Sequence, residues 1–209
     1  MAFHSPLVNA SAEKPRRTGL APALNPNADL VRGRELYQHN CASCHGVGGD
    51  GNGPGATGLR PAPANLNEHE YSLARLSFVL ENGVAGTSMP AWRDFSMEDR
   101  SAIARAVGQL HSTQPEPNIP AATLELGARV YKDNCAQCHG GNGAGDGFAV
   151  PELRMVPASL AGVRPSLAES LRALRNGIEG TQMAPWTGRL GEAELSAVAY
   201  YVRAFYKGD

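Results

Sequence analysis

Apolar positions along this chain recur at three- and four-residue spacing, and nothing alternates convincingly with period two. That pattern predicts helices joined by loops and essentially no sheet. Leu30, Gly33 and Tyr37 share one face of a first helix, which Asn27 or Asp29 would cap. The stretch from Thr123 to Tyr131 repeats that face. Ser72–Asn82 and Ser166–Asn176 read as short middle helices, and Met97–His111 and Glu192–Tyr206 as closing ones. Ser96, with Asp99 three residues on, forms a capping box for the first closing helix. Loops rich in glycine and proline, Gly46 to Pro63 and Gly140 to Pro157, fill the space between first and middle helices.

These elements come in two sets. Gly33 and Gly127, Tyr37 and Tyr131, Cys41 and Cys135, Pro63 and Pro157, Met89 and Met183, and Trp92 and Trp186 each lie 94 residues apart. One residue inserted after Trp186 then brings Phe95 over Leu190. Two repeats of this length make two domains rather than a solenoid. The expected division is an irregular N-terminal extension at 1–28, a first domain at 29–113, a linker at 114–121 and a second domain at 122–209. Alternating Pro115, Pro117 and Pro120 favour a short, extended spacer.

Composition sharpens this picture in two ways. With 209 residues split in two, each half is small enough to need more than its own side chains to form a stable core. An aromatic content of 6% suits a core whose largest group is not an amino acid. The net charge of −1 gives no sequence-wide field for nucleic acid or lipid. Lys14, Arg16 and Arg17 against Glu13 read as a solvated tail.

All four cysteines fall in two pentapeptides, Cys41-Ala42-Ser43-Cys44-His45 and Cys135-Ala136-Gln137-Cys138-His139. Cys-x-x-Cys-His is the attachment pattern of heme c: two thioethers hold the ring and the next histidine meets its iron. A structural zinc site would need a second ligand pair close by, and a redox dithiol needs no trailing histidine. Two heme c groups are therefore the expected cofactors, attached at Cys41, Cys44, Cys135 and Cys138, with His45 and His139 on iron. Met89 and Met183 each follow their histidine by 44 residues, each in a Gly-Thr-x-Met loop. A lone methionine is usually core filler, but this repetition points to a sixth ligand. Thioether sulfur opposite histidine favours ferrous iron and raises the potential.

The first-helix Gly-x-x-x-Tyr, the pentapeptide, a Pro-x-x-Leu segment, the methionine loop and a closing helix together resemble class I cytochrome c. The resemblance covers residues 29–113 and again 122–209. It implies an all-α fold of two tandem domains, each a few helices and long loops wrapped around a covalent heme. The Met-Pro-Ala-Trp loop is also similar to cytochrome domains attached to respiratory oxidases and reductases. The family pattern implies that the carbonyls of Pro63 and Pro157 receive a hydrogen bond from the ligand histidines, which fixes the rings. It matches Gly33/Tyr37 and Gly127/Tyr131 to a close helix crossing. Arg60 and Arg154 align as candidate partners of heme propionates, and the indoles of Trp92 and Trp186 are further candidates. His4, His39, His69 and His111 read as ordinary histidines, since none recurs in the second set.

Iron closed on both faces has no place for substrate, which points to an electron carrier rather than an enzyme. Expected partners are a redox-protein donor and acceptor, a membrane oxidase or reductase among the candidates, with no nucleic acid and no small-molecule substrate. A diheme peroxidase or thiosulfate-oxidising cytochrome is the enzymatic alternative, and a domain of a membrane complex is the other. No run approaches the roughly 18–20 apolar residues of a membrane span. Met1 to Ala12 lacks a basic start and apolar stretch. Cytochromes of this kind are assembled outside the cytoplasm, so the resemblance implies a periplasmic protein from which an upstream signal or anchor has been removed.

Overall fold

Two helices crossing at a glycine organise each half of the chain. The computed structural model describes residues 26–111 and 117–208. In the first half, α1 (Pro26–Asn40) crosses α4 (Met97–Gly108); in the second, α5 (Ala121–Asn134) crosses α8 (Glu192–Arg203). A Cβ at Gly33 would overlap the Ala102 carbonyl, and one at Gly127 would overlap that of Ala197. Only glycine lets the backbones come this close. One turn on, Tyr37 and Tyr131 are buried and donate their hydroxyls to the carbonyls of Gly46 (2.8 Å) and Gly140 (2.7 Å). Those bonds tie the first helix of each half to the loop behind its histidine. Ile103 in α4, and Leu195 and Val198 in α8, are the largest fully buried side chains.

Between the crossing helices lie the short turns α2 (Ala42–His45) and α6 (Ala136–His139), and the middle helices α3 (Leu73–Asn82) and α7 (Leu167–Asn176). The middle helices start where the sequence predicts. Ser72 accepts from the Arg75 N–H at 3.1 Å and Ser166 from the Glu169 N–H at 3.0 Å. Such a cap stabilises a helix by about 1 kcal/mol. Both helices end at a glycine with φ 70°, Gly83 and Gly177, in a conformation L side chains rarely adopt.

The structure departs from the sequence reading at several ends. The first helix begins at Pro26, inside the expected extension, so Asn27 and Asp29 lie in its first turn rather than before it. Asp29 instead accepts from Arg105 at 2.9 Å. Helix α4 stops at Gly108 and α8 at Arg203, short of His111 and Tyr206. Ser96 does accept from the Asp99 N–H at 3.0 Å. The Asp99 carboxylate, however, pairs with Arg32 at 3.0 Å rather than completing a box. Ala121, the expected end of the linker, opens α5; residues 1–25 of the extension, 112–113 at the end of the first domain and 114–116 of the linker lie outside the described residues.

A small sheet was not expected. Strand β1 (His69–Tyr71) pairs antiparallel with β2 (Val163–Pro165) across the two halves. Three residues are too few to show alternation, and the partner lies in the other repeat. The central pair is Glu70 with Arg164, which hold equivalent places in the two sets and are ion-paired. The flanking bonds are equivalent as well. The Ser72 N–H donates to the Gly162 carbonyl at 3.1 Å, and the Ser166 N–H to the Glu68 carbonyl at 2.6 Å. The seam therefore has an approximate twofold axis. Gly86, three residues before Met89, lies against Arg154 and Met155; Gly180, three before Met183, lies against Arg60 and Pro61.

Candidate heme sites

Each pentapeptide is a single helical turn continuing the first helix. The Cys41 N–H donates to Tyr37 and the His45 N–H to Cys41, at 2.8 and 2.9 Å; Cys135 and His139 repeat both bonds at the same lengths. A four-residue step on a helix places side chains on one face, so the first cysteine of each motif and its histidine look the same way. Cys41 and Cys135 are buried and Cys44 and Cys138 half-buried, and none of the four pairs with another in a disulfide. Burial, reinforced by the neighbouring cysteine, pushes the thiols of Cys41 and Cys135 up to about 11. A disulfide-exchange cysteine needs the opposite shift. Among the described residues no three His, Cys, Asp or Glu side chains gather as they would around zinc.

The histidines are held neutral. Burial lowers the pKa of both, with the His45 shift partly offset by its backbone bond. His45 Nδ1 lies 3.2 Å from the Ala64 carbonyl. A carbonyl can only accept, so Nδ1 carries the proton and the lone pair of Nε2 is left for a metal. This partner differs from the Pro63 that the family pattern implies: the Pro63 and Pro157 carbonyls lie over Gly51 and Gly145 instead. His139 Nδ1 is buried without a protein partner.

The methionine loops are built alike. Thr87 Oγ1 donates to the Val84 carbonyl at 2.8 Å and accepts from the Met89 N–H at 3.0 Å; Thr181 does the same for Ile178 and Met183 at the same distances. The Met89 carbonyl accepts from Val84 at 3.1 Å and that of Met183 from Ile178 at 2.9 Å, closing each loop. The loop is then pinned to the middle helix, Trp92 N–H to Leu80 at 2.7 Å and Trp186 N–H to Leu174 at 2.8 Å. Met89 and Met183 pack on the core of their own halves. The two threonines went unassigned in the sequence, although Gly-Thr-x-Met in both loops was the signal for them.

The remaining candidates separate. Trp92 Nε1 and Trp186 Nε1 are buried and unpartnered, which suits a carboxylate acceptor of a bound group. Arg60 donates to Glu179 of the other half at 2.5 Å and to its own Leu59 carbonyl at 2.8 Å. Arg154 has no ion-pair partner among the described residues, and its backbone rests on Gly86. His39, His69 and His111 each hold a backbone carbonyl through Nδ1, those of Glu35, Asn65 and Asn67. His4 lies outside the described residues.

Thiols and a neutral histidine on one turn, a braced methionine loop and one orphaned indole N–H fit heme c in each half. Helical halves built around duplicated Cys-x-x-Cys-His turns define a tandem cytochrome c of class I. The chain matches, over residues 28–105 and again over 122–202, the family described as cytochrome c oxidase, cbb3-type, subunit III, and it belongs to that family. Its relatives include the cbb3-type cytochrome c oxidase subunit CcoP of Azospirillum sp. (strain B510), 27% identical over 83% of this chain and 61% of that protein. The CcoP subunit of Cereibacter sphaeroides is 26% identical, over 85% of this chain and 61% of its own length. Subunit FixPc of Rhizobium leguminosarum bv. viciae is 26% identical, over 86% and 62%. The chain thus spans about three fifths of the length of these relatives.

Proposed function

We propose that the chain is an electron-transfer cytochrome that carries two heme c groups and passes single electrons between redox proteins of a respiratory chain, as part of a membrane-bound oxidase. The observation that carries this reading is the braced methionine loop, built to the same plan in both halves. When bound, heme c supplies a one-electron iron couple. The protein does the rest. Cys41 and Cys44 would anchor one ring and Cys135 and Cys138 the other, and His45 and His139 would each offer a neutral nitrogen. The Thr87 and Thr181 hydroxyls hold the Met89 and Met183 backbone in place, so their thioether sulfurs would be the second protein ligands to iron. Trp92, Trp186, Arg60 and Arg154 offer N–H donors to propionates.

The seam supports transfer between the halves. Each methionine loop rests on the other half's Arg-containing segment, Gly86 on Arg154 and Gly180 on Arg60. The oxidase assignment rests on the relatives named above, which are subunits of such complexes. Export to the periplasm is part of the same reading. Among the described residues no helix is long and apolar enough to cross a membrane.

Substitution of the loop methionine tests the reading. Met89→His should lower the potential of one heme by on the order of 0.2 V, a fraction of the ~0.8 V that axial ligands span. The other potential should stay in place. A redox titration followed by visible spectra reads both waves. An unmoved titration removes Met89 as a ligand, and ready uptake of carbon monoxide by the reduced native protein would replace the carrier with an enzyme.

A further inference from the structure

The two halves differ most behind the buried tyrosine of the first helix. In the second half, Tyr131 packs against Tyr201 and Phe205, with ring centroids 5.6 and 5.0 Å away. Tyr201 and Phe205 themselves sit 5.2 Å apart, nearly edge to face. The equivalent places in the first half can be identified from the glycines. Gly127 abuts Tyr201 where Gly33 abuts Ala106, and Gly143 abuts Phe205 where Gly49 abuts Leu110. The first half thus has alanine where the second has a tyrosine ring.

A groove of about 220 Å³ opens there, with Tyr37, Ala106 and Leu110 as its floor. An apolar cavity of ~150 Å³ is enough to hold benzene, so the space suits one aromatic ring. The rim is polar on one side: Arg34 and Gln109 meet over it, guanidinium to amide oxygen at 2.9 Å. The second half has alanines, Ala128 and Ala204, at the equivalent places. Among the described residues no carboxylate pairs with Arg34. On the other side lies Val47, two residues after His45 and 73% exposed.

We propose that this groove receives a tyrosine side chain carried on an acidic segment of a partner protein. The occupant is drawn from the molecule itself, because the second half fills the same place with Tyr201. Charge complementarity adds the acidic flank: among the described residues Arg34 stands at the rim with no carboxylate partner, and its N–H groups can donate to a phenolic oxygen. The inserted ring would rest on the Tyr37 face, adding aromatic contact to a helix already tied to the loop behind His45. The groove stands on side chains outside the ligand set, so it holds or fails independently of the electron-carrier reading.

The heme-loaded full chain tests it, with p-cresol as the tyrosine side chain and the methyl resonances of Val47, Ala106 and Leu110 in the reduced protein as the readout. Saturable shifts at all three are expected, and Ala106→Tyr, which copies the second half, should weaken binding at least tenfold. Leu110→Phe serves the same purpose if that variant does not retain its heme. Absence of saturable shifts, or equal binding by the filled variants, overturns the proposal. A photoreactive benzophenone side chain at Val47, activated in native membranes, then identifies the occupant. An adduct on a tyrosine-bearing acidic peptide of another protein is expected. An adduct on a second copy of this chain, or on a peptide without tyrosine, overturns the partner.

Discussion

The two halves share a frame and differ in filling. Both cross their outer helices at a glycine, both tie a tyrosine hydroxyl to the glycine after the histidine, and both cap the middle helix with serine. Behind the tyrosine, the second half stacks three aromatic rings, whereas the first leaves a groove over Ala106 and Leu110. The frame positions the pentapeptide and the methionine loop, so a change there moves the site. The filling lies outward of that frame, so it can diverge while the two sites remain alike.

Breaking the frame should have the largest effect. Gly33→Val and Gly127→Val each force a side chain into a backbone carbonyl. Each is expected to destabilise its own half by more than about 3 kcal/mol, read as loss of heme retention and of cooperative thermal unfolding in that half. A variant tolerated in one half only would show that the frames are not equivalent. Removing the filling should come next. Tyr201→Ala is expected to cost about 3 kcal/mol in the second half, leaving the thermal transition of the first in place. A loss well below 1 kcal/mol would mean that the three rings add no more than the groove does.

The smallest effect concerns the seam. Burial raises the pKa of Glu68, reinforced by the hydrogen-bonding and like charge of Glu169 in the other half and opposed by Arg172 and His69. A raised pKa in the folded state means that the stabilising contribution is complete below the ordinary carboxylate range. It fades as pH climbs through the raised value. The Glu68 contribution should therefore shrink from acid towards neutral pH, so the thermal stability of the native protein relative to Glu68→Gln should decline over that range. A native-minus-variant difference that grows with pH would reverse the sign assigned to the pair.

Much of the helical content is legible in one dimension. A helix depends on contacts three and four residues apart, so α3 and α7 and their serine caps follow from the local pattern. The pentapeptides and methionine loops are equally plain, because duplication at a fixed spacing marks chemistry twice. The sheet escapes this reading, since its strands are three residues long and pair across the two repeats. One signal was available: Glu70 and Arg164 hold equivalent places with opposite charge. Residues that face their own counterpart near a twofold axis cannot both carry the same charge cheaply.

The sequence by itself determined the candidate ligands, their order along the chain and the helices that bear them, for each of these depends on neighbours a few residues away. Tertiary packing decided that the Ala64 carbonyl, rather than that of Pro63, meets His45, that Glu179 reaches Arg60, and that a groove stands open over Ala106. Those outcomes depend on the path of loops and the approach of distant elements. Small changes in backbone direction there exchange one carbonyl or side chain for the next, and no local periodicity records the result.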